Sequence, residues 1–217
     1  MVATNFYGNS QSSLVGTGGV VVVVPFQPTN LANNAAVTTD TVIGFTWTAS
    51  VNGGTAVLYY SVYTDHGLGS GSYFLLESPV TTTSFTTTTT LTPGTTYQFY
   101  VTATNSVGTG SPSSVLSVLA AKIPDAPLGP YNDVLVTTGF QVGLTWSTTN
   151  VYNGGSPVID YAVYYHTSAT GTFTLFQSGI TTQSSTVTGL SPGVVYYFYV
   201  RSRNVVGFSA ASSTLSV

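Results

Sequence analysis

Hydrophobic and polar residues alternate along several short stretches of the chain with a period of two. In one such stretch Tyr97, Phe99 and Val101 alternate with Gln98 and Tyr100. This period is that of a β-strand with one face in a core. Asn-Gly-Gly and Pro-Gly sequences separate the stretches, and no stretch has a helical pattern. Several short strands at regular spacing predict an all-β chain built from two-sheet sandwiches.

The whole pattern recurs about 99 residues further along the chain. The paired landmarks, in one order, are Pro25 and Pro124, Trp47 and Trp146, Gly53 and Gly154, Tyr97 and Tyr196, and Val118 and Val217. A length of 217 residues accommodates two domains of about 100 residues each. We expect an N-terminal arm over residues 1–24, domain 1 over 25–121 and domain 2 over 122–217. Residues 120–123 form a short linker before Pro124, which predicts a semi-rigid rod.

Each repeat carries a Trp in its second strand, an Asn-Gly-Gly turn and the sequence Leu-x-Pro-Gly-x-x-Tyr. Each also ends its penultimate strand with Asn-x-x-Gly, at Asn105 and Asn204. In this order the motifs resemble those of the fibronectin type III domain, over about residues 25–217. The resemblance implies a β-sandwich of the immunoglobulin-like kind. One departure from the family's animal members is the near-absence of surface charge.

Four large side chains are the expected structural core of the two repeats: Trp47, Trp146, Tyr97 and Tyr196. A Trp is large enough to fill the space between two sheets. The tyrosines can bury their rings while the hydroxyl reaches a nearby backbone group, as in a tyrosine corner.

The N-terminal arm has no counterpart before domain 2, and it ends in five consecutive valines. These residues, here called the valine segment, are Val20, Val21, Val22, Val23 and Val24. A continuous β-branched run favours a strand with both faces buried. The segment could begin the first strand of its own domain 1, could add as a strand to another copy of the chain, or could be disordered.

Two features favour strand donation to another copy. Residues 31–37, where domain 1 should form its first strand, have a poorer strand pattern than residues 132–136 of domain 2. A glycine-rich spacer at residues 16–19 would let the arm swing outward. We therefore expect the valine segment to be an assembly strand, comparable in logic only to the donor strands of pilus subunits.

Charge is scarce, at 4% of residues, with three Lys and Arg in total and a net charge of −3. Nucleic-acid binding and a polybasic membrane patch both need clustered cations, so neither is expected. No apolar stretch is long enough for membrane insertion, and the absence of Cys excludes disulfides. The threonine runs at residues 81–83 and 86–90 could carry O-linked glycans, or could simply be exposed strand formers.

Catalytic chemistry has little support in the sequence. His66 and His166 are expected in matching loops, and Asp65 precedes the first of them, but no activated serine motif accompanies either. The six carboxylates are scattered singly, so we expect no metal, no cofactor and no enzyme activity. Asp40 and Asp133 are interpreted as turn formers.

Two further expectations concern the outer faces of the sheets. Asp160 should face Arg203 or Arg201 across neighbouring strands of domain 2, with Arg203 favoured. Tyrosines should also point outward, where they could pair across strands, stack on sugars or pack against other subunits; these are Tyr59, Tyr100, Tyr164, Tyr197 and Tyr199.

Taken together, these observations favour a non-catalytic subunit of an extracellular fibre or appendage that polymerises with copies of itself. Low charge supports this hypothesis, since charge normally keeps soluble monomers apart. The alternative is a spacer or binding module, a fibronectin type III pair within a larger cell-surface adhesin or carbohydrate-active protein. Both place the chain outside the cell or at its surface.

Overall fold

The computed structural model describes residues 1–14 and 19–217. In this part of the chain all regular structure is β, as the sequence predicts, and no helix occurs. None of the described residues therefore forms a helix that could cross a membrane. Because the arm is small, nearly all of the packing lies in two sandwiches joined end to end.

Domain 1 has a three-stranded sheet facing a four-stranded sheet. The first sheet has the order β3 (Thr29–Asn33), β4 (Gly44–Thr48), β7 (Ser84–Thr86). The second has the order β6 (Phe74–Val80), β5 (Tyr59–Thr64), β8 (Thr96–Thr104), β9 (Leu116–Leu119). All pairings are antiparallel.

Domain 2 repeats this arrangement. Its three-stranded sheet has the order β10 (Leu128–Asp133), β11 (Gln141–Ser147), β14 (Ser184–Thr188). Its four-stranded sheet has the order β13 (Thr174–Ile180), β12 (Asp160–His166), β15 (Tyr197–Arg203), β16 (Leu215–Ser216). Equivalent residues of the two domains therefore occupy equivalent places, which allows the two ends of each sandwich to be compared residue by residue.

The cores follow the period-two pattern of the sequence. Along β8 the side chains of Tyr97, Phe99 and Val101 are buried. Trp47 is buried between the sheets with its ring 5.4 Å from that of Tyr60. Trp146 has the same environment in domain 2, 5.4 Å from the ring of Tyr161, the equivalent of Tyr60. Edge-to-face aromatic contacts of this kind add to the apolar burial.

The tyrosine corner forms in both domains. The Tyr97 hydroxyl accepts a hydrogen bond from the Thr92 backbone N–H at 3.0 Å. The Tyr196 hydroxyl accepts one from the Ser191 N–H at 3.1 Å. Both tyrosine rings are buried, so the hydroxyl satisfies a backbone donor at the turn while the ring fills the core.

The expected pairing of Asp160 with Arg203 is present. These residues are direct partners across β12 and β15. Arg203 Nε donates to Asp160 Oδ1 at 2.9 Å, and Nη2 donates to Oδ2. The pair is less exposed than expected, since Asp160 is buried and the guanidinium lies 5.1 Å from the centre of the Phe208 ring.

The N-terminal arm differs from its prediction. Its only strands within the described residues are β1 (Thr4–Asn5) and β2 (Gly8–Asn9), which form a small exposed hairpin. The valine segment is exposed and belongs to no strand. The Val23 N–H donates to Gly53 O of its own domain 1 at 2.8 Å. Of the predicted glycine spacer, residues 16–18 lie outside the described residues.

The first strand of domain 1 is also better formed than its sequence suggests. In β3, Ala32 pairs with Thr46 and Asn33 with Phe45. Only residues 34–37 leave the strand, and they form the following turn. Domain 1 therefore completes its three-stranded sheet with its own strand, although the sequence pattern there is poor.

Trp47→Ala should lower the free energy of unfolding of domain 1 by about 3–5 kcal/mol, because it leaves a cavity between the sheets. Chemical denaturation followed by tryptophan fluorescence would then report domain 2 through Trp146 alone. Far-ultraviolet circular dichroism would show the earlier transition of domain 1.

Trp47→Phe is the control, because it keeps an aromatic ring between the sheets and should cost clearly less. Equal losses for the two variants would show that ring burial is not what Trp47 contributes.

Candidate functional site: the junction between the two domains

Backbone hydrogen bonds hold the linker to both domains. The Gly94 N–H of domain 1 donates to Ala120 O at 2.8 Å, so Ala120 still belongs to the sheet edge of domain 1. Two residues later the Lys122 N–H donates to Gly154 O of domain 2 at 2.8 Å. Ala121, between them, is buried. Both flanking peptides are held, so rotation at the linker would break backbone hydrogen bonds.

Asn204 holds the linker from the other side. Its side-chain amide donates to Lys122 O at 2.8 Å and to Asn153 O at 2.9 Å. Its side-chain oxygen accepts from the Val206 and Gly207 N–H groups. The side chain is buried and thus ties the linker, the Asn-Gly-Gly turn and the end of β15 together.

The Asn-Gly-Gly turn of domain 2 lies directly against the linker backbone. Gly154 and Gly155 have φ of 77° and 81°, a conformation that costs other residues energy. A β-carbon on Gly154 would overlap Lys122 O, and one on Gly155 would lie 3.0 Å from Ala120 O and from Gly94 N. Glycine is therefore required for the two domains to approach this closely.

A polar cluster closes one side of the junction. The Tyr152 hydroxyl of domain 2 donates to Asp40 Oδ2 of domain 1 at 2.7 Å. Lys122 Nζ lies 3.8 Å from the same oxygen and 5.1 Å from the centre of the Tyr152 ring. We call Asp40, Lys122 and Tyr152 the junction clamp. The hydrogen bond to Asp40, with a smaller contribution from desolvation, raises the pKa of Tyr152 above its usual value.

The role of Asp40 corrects its interpretation as a turn former, since its carboxylate contacts domain 2. Asp133, in contrast, does form a turn, because its Oδ1 accepts from the Leu135 N–H at 3.1 Å. Beside the clamp, a cleft of about 310 Å³ is lined by residues of both domains, including Ala35 and Val206.

The same linker-binding site exists at the far end of domain 1, where the valine segment occupies it. Val23 is the equivalent of Lys122, and Val23 O accepts from the Asn105 side-chain amide at 2.7 Å. Asn105 also donates to Asn52 O at 2.9 Å. The Phe26 N–H donates to Val51 O at 2.9 Å. The valine segment therefore lies where a linker lies, which differs from the expected assembly strand.

The two histidines do not occupy matching positions. Asp65 is fully buried, and its carboxylate accepts from the Gly67, Gly69 and Gln98 N–H groups. It therefore caps a loop. His166 is the last residue of β12 and pairs with Tyr197, which makes it the equivalent of Asp65. The matching positions expected for the two histidines are thus one residue out of register.

The outward-facing tyrosines stack on one another across the strands. The rings of Tyr63 and Tyr100 are 4.6 Å apart, and those of Tyr164 and Tyr199 are 4.8 Å apart. Burial, more than the neighbouring tyrosines, raises the pKa of Tyr100. Much of the aromatic surface is therefore used within each sheet, as in the cross-strand alternative.

Two other surface expectations can be placed in the structure. Most of the threonines at residues 81–83 and 86–90 are exposed. Thr87 is buried, and its hydroxyl accepts from the Ile43 N–H at 3.0 Å, so it is not available to a sugar. Within residues 1–14 and 19–217, no group of three or more potential metal-ligating side chains comes together.

Sequence reasoning alone did not find the junction clamp, although a signal was present. Asp40, Lys122 and Tyr152 correspond to Gly139, Val23 and Val51 in the other repeat. A charged or hydroxyl group at all three positions, in a chain with so few charges, marks a place where the repeats have different surroundings.

Comparisons with known proteins agree with the architecture. The model of the fibronectin type III domain family matches residues 26–119 and again 132–217. In the crystal structure of the chicken CNTN1 FN1-FN3 domains, the similarity covers 100% of this chain and 75% of that chain, with a TM-score of 0.53 and 19% identity. A two-domain fibronectin type III segment of chicken tenascin covers 88% of this chain and 98% of its own, with a TM-score of 0.44 and 20% identity.

Two curated relatives match about half of the chain. Rat pikachurin is 31% identical over 128 residues, 56% of this chain and 12% of the relative. A Kelch domain-containing protein of Sulfurisphaera tokodaii is 30% identical over 121 residues, 55% of this chain and 15% of the relative. The chain thus spans less than a sixth of the length of either relative.

The raised pKa of Tyr152 allows the clamp to be tested by pH. The hydroxyl donates to Asp40 while it is protonated, so the bond is complete below about pH 10, the usual tyrosine pKa, and is lost as the pH rises through the raised value. Asp40→Ala should bring the midpoint of Tyr152 down toward the usual value, measured by NMR of the ring Cζ.

Asp133→Ala is the control. It removes a carboxylate that bonds only within its own turn, and it should leave the pH midpoint of the Tyr152 titration unchanged. An identical midpoint in the wild-type chain and in Asp40→Ala would show that the two side chains are not bonded in solution.

Proposed function

Because the chain belongs to the fibronectin type III domain family, we propose that it is a spacer or binding module of a larger extracellular or cell-surface protein. Its role is to hold two sandwich domains at a fixed mutual orientation. The observation that carries this proposal is the junction, where the linker is hydrogen-bonded on both sides and clamped by Asp40, Lys122 and Tyr152.

The module acts without catalysis. The buried carboxylate Asp65 is satisfied by backbone donors, and the buried carboxylate Asp160 by Arg203. A carboxylate used in this way is unavailable as a general acid or base. A fixed spacing between neighbouring domains is, in contrast, a mechanical function for which backbone contacts and a short linker are sufficient.

Strand donation by the valine segment is supported less well. Val23 bonds through both its N–H and its carbonyl to domain 1, and these bonds would have to break for the segment to leave. What still favours contact with other molecules is the exposure of these valines.

The spacer function predicts a narrow distribution of inter-domain distances. The chain has no cysteine, so Thr88→Cys and Thr182→Cys introduce two unique spin-label sites, one in each domain. Double electron-electron resonance between the two spin labels should give a single narrow distance peak. Asp40→Ala combined with Gly155→Val should broaden it, since the clamp is removed and the glycine contact is blocked.

Asp133→Ala in the same labelled chain is the matched control and should keep the narrow peak. A broad distribution in the unmodified labelled chain would show that the domains move freely and would refute the spacer proposal.

A further inference from the structure

The surfaces by which the two domains contact each other have equivalents at the two outer ends of the pair. We call the outer end of domain 1, formed by residues 20–26, 51–54 and 105–108, the head. We call the outer end of domain 2, formed by residues 133–140 and 190–195, the tail. Through the repeat, the head is equivalent to the surface of domain 2 that contacts domain 1. The tail is equivalent to the surface of domain 1 that contacts domain 2.

At the head, residues that are buried in the junction are exposed. Ala120, at the end of the domain 1 core, is 0% exposed, and Ala121, between the two domains, is 3% exposed. Their head equivalents, Val21 and Val22, are 86% and 42% exposed. Gly54 nevertheless approaches Val21 O as Gly155 approaches Ala120 O, at 3.0 Å from a notional β-carbon in each case. The backbone of the valine segment thus lies at the head as the linker lies at the junction, and its outer side chains are exposed in the described structure.

The polar groups of the junction clamp are replaced by apolar groups or removed at the free ends. At the head, Val23 and Val51 stand in the places of Lys122 and Tyr152, and both are exposed. At the tail, Gly139 stands in the place of Asp40. A domain that docked here would meet an apolar surface in place of a hydrogen bond and a charge pair.

The tail also carries larger or more apolar residues than the equivalent surface of domain 1. Phe140 replaces Thr41 and is 66% exposed, and Leu135 replaces Ala36 and is 94% exposed. Val194 and Val195 replace Thr95 and Thr96. These residues share one end of the sandwich, because Leu190 N–H donates to Phe140 O and Gly139 lies against Pro192. Large exposed apolar groups that cluster on a surface mark an interaction site.

We propose that the tail of one copy docks on the head of a second copy and reproduces the junction between chains with apolar contacts. This goes beyond the spacer function, since it makes the chain a self-associating module. A second copy is the occupant because head and tail correspond, through the repeat, to the two halves of an interface that this chain already forms internally. Both halves also lose their polar groups. The contact is heterologous and does not close, so successive copies form a linear array.

This docking differs from strand donation, because the valine segment keeps its bonds to its own domain. In the docked state the neighbouring copy covers Val21 and Val22, which are the equivalents of the buried Ala120 and Ala121 of the junction. The segment thus acts as a surface that is buried between copies.

Sedimentation velocity of the full chain tests the proposal. From about 10 µM to about 1 mM, the range expected of a weak specific contact, the mean mass of the wild-type chain should rise beyond that of a dimer. Val51→Asp at the head and Leu135→Asp at the tail should each abolish the rise, since a charge would be buried unpaired. Mixed in equal amounts, the two variants should form dimers and nothing larger, because each retains one intact end.

Val115→Asp is the matched control: Val115 is a similarly exposed valine that lies outside the head and the tail, and this variant should associate like the wild-type chain. Thermal unfolding checks that each variant folds, and Val21→Asp with Phe140→Asp provides a second pair. A wild-type chain that stays monomeric at about 1 mM would overturn the proposal and indicate that a different protein covers the ends. Failure of the mixture to form dimers, or unchanged association of the single variants, would overturn it as well.

Discussion

The approach of a linker backbone to within contact of an Asn-Gly-Gly turn is the constraint on which the rest of this molecule depends. At the junction this contact needs glycine at positions 154 and 155, because a β-carbon on either would meet carbonyl or amide groups of the linker. It also needs a buried asparagine, Asn204, to satisfy two carbonyls that would otherwise face the sandwich unpaired. With these requirements met, the two domains stand close enough for side chains of one to bond to the other.

The scarcity of charge gives particular importance to the few cations. Lys122 belongs to the junction clamp, and Arg203 pairs with Asp160. Arg201 Nε donates to Ser209 O and its guanidinium lies 5.9 Å from the centre of the Phe208 ring. All three cations of the chain therefore have structural contacts, and no cluster of them remains to attract a polyanion.

Low charge and exposed apolar side chains occur together at the two outer ends of the domain pair. Lys122 and Tyr152 of the junction have exposed valines as their equivalents at the head, and Thr41 has an exposed phenylalanine as its equivalent at the tail. A rigid junction keeps the head and the tail at a constant separation and orientation. In the proposed array, a rigid junction would favour regular contact between copies, because a flexible linker would let the orientation of the two ends vary.

The sequence by itself determined the all-β fold, the two repeats and the cores, because these follow from short-range alternation and from landmark residues such as Trp47 and Tyr97. It also predicted the Asp160–Arg203 pair, since register across neighbouring strands follows from which residues point inward. Only the tertiary structure decided where the valine segment and Asp40 lie and what they contact. The high strand propensity of five valines suggested a strand, yet a backbone carbonyl and an asparagine amide in domain 1 hold Val23 as a linker. Asp40 and Tyr152 lie far apart in sequence, and their contact depends on the angle between two domains, which no local pattern encodes.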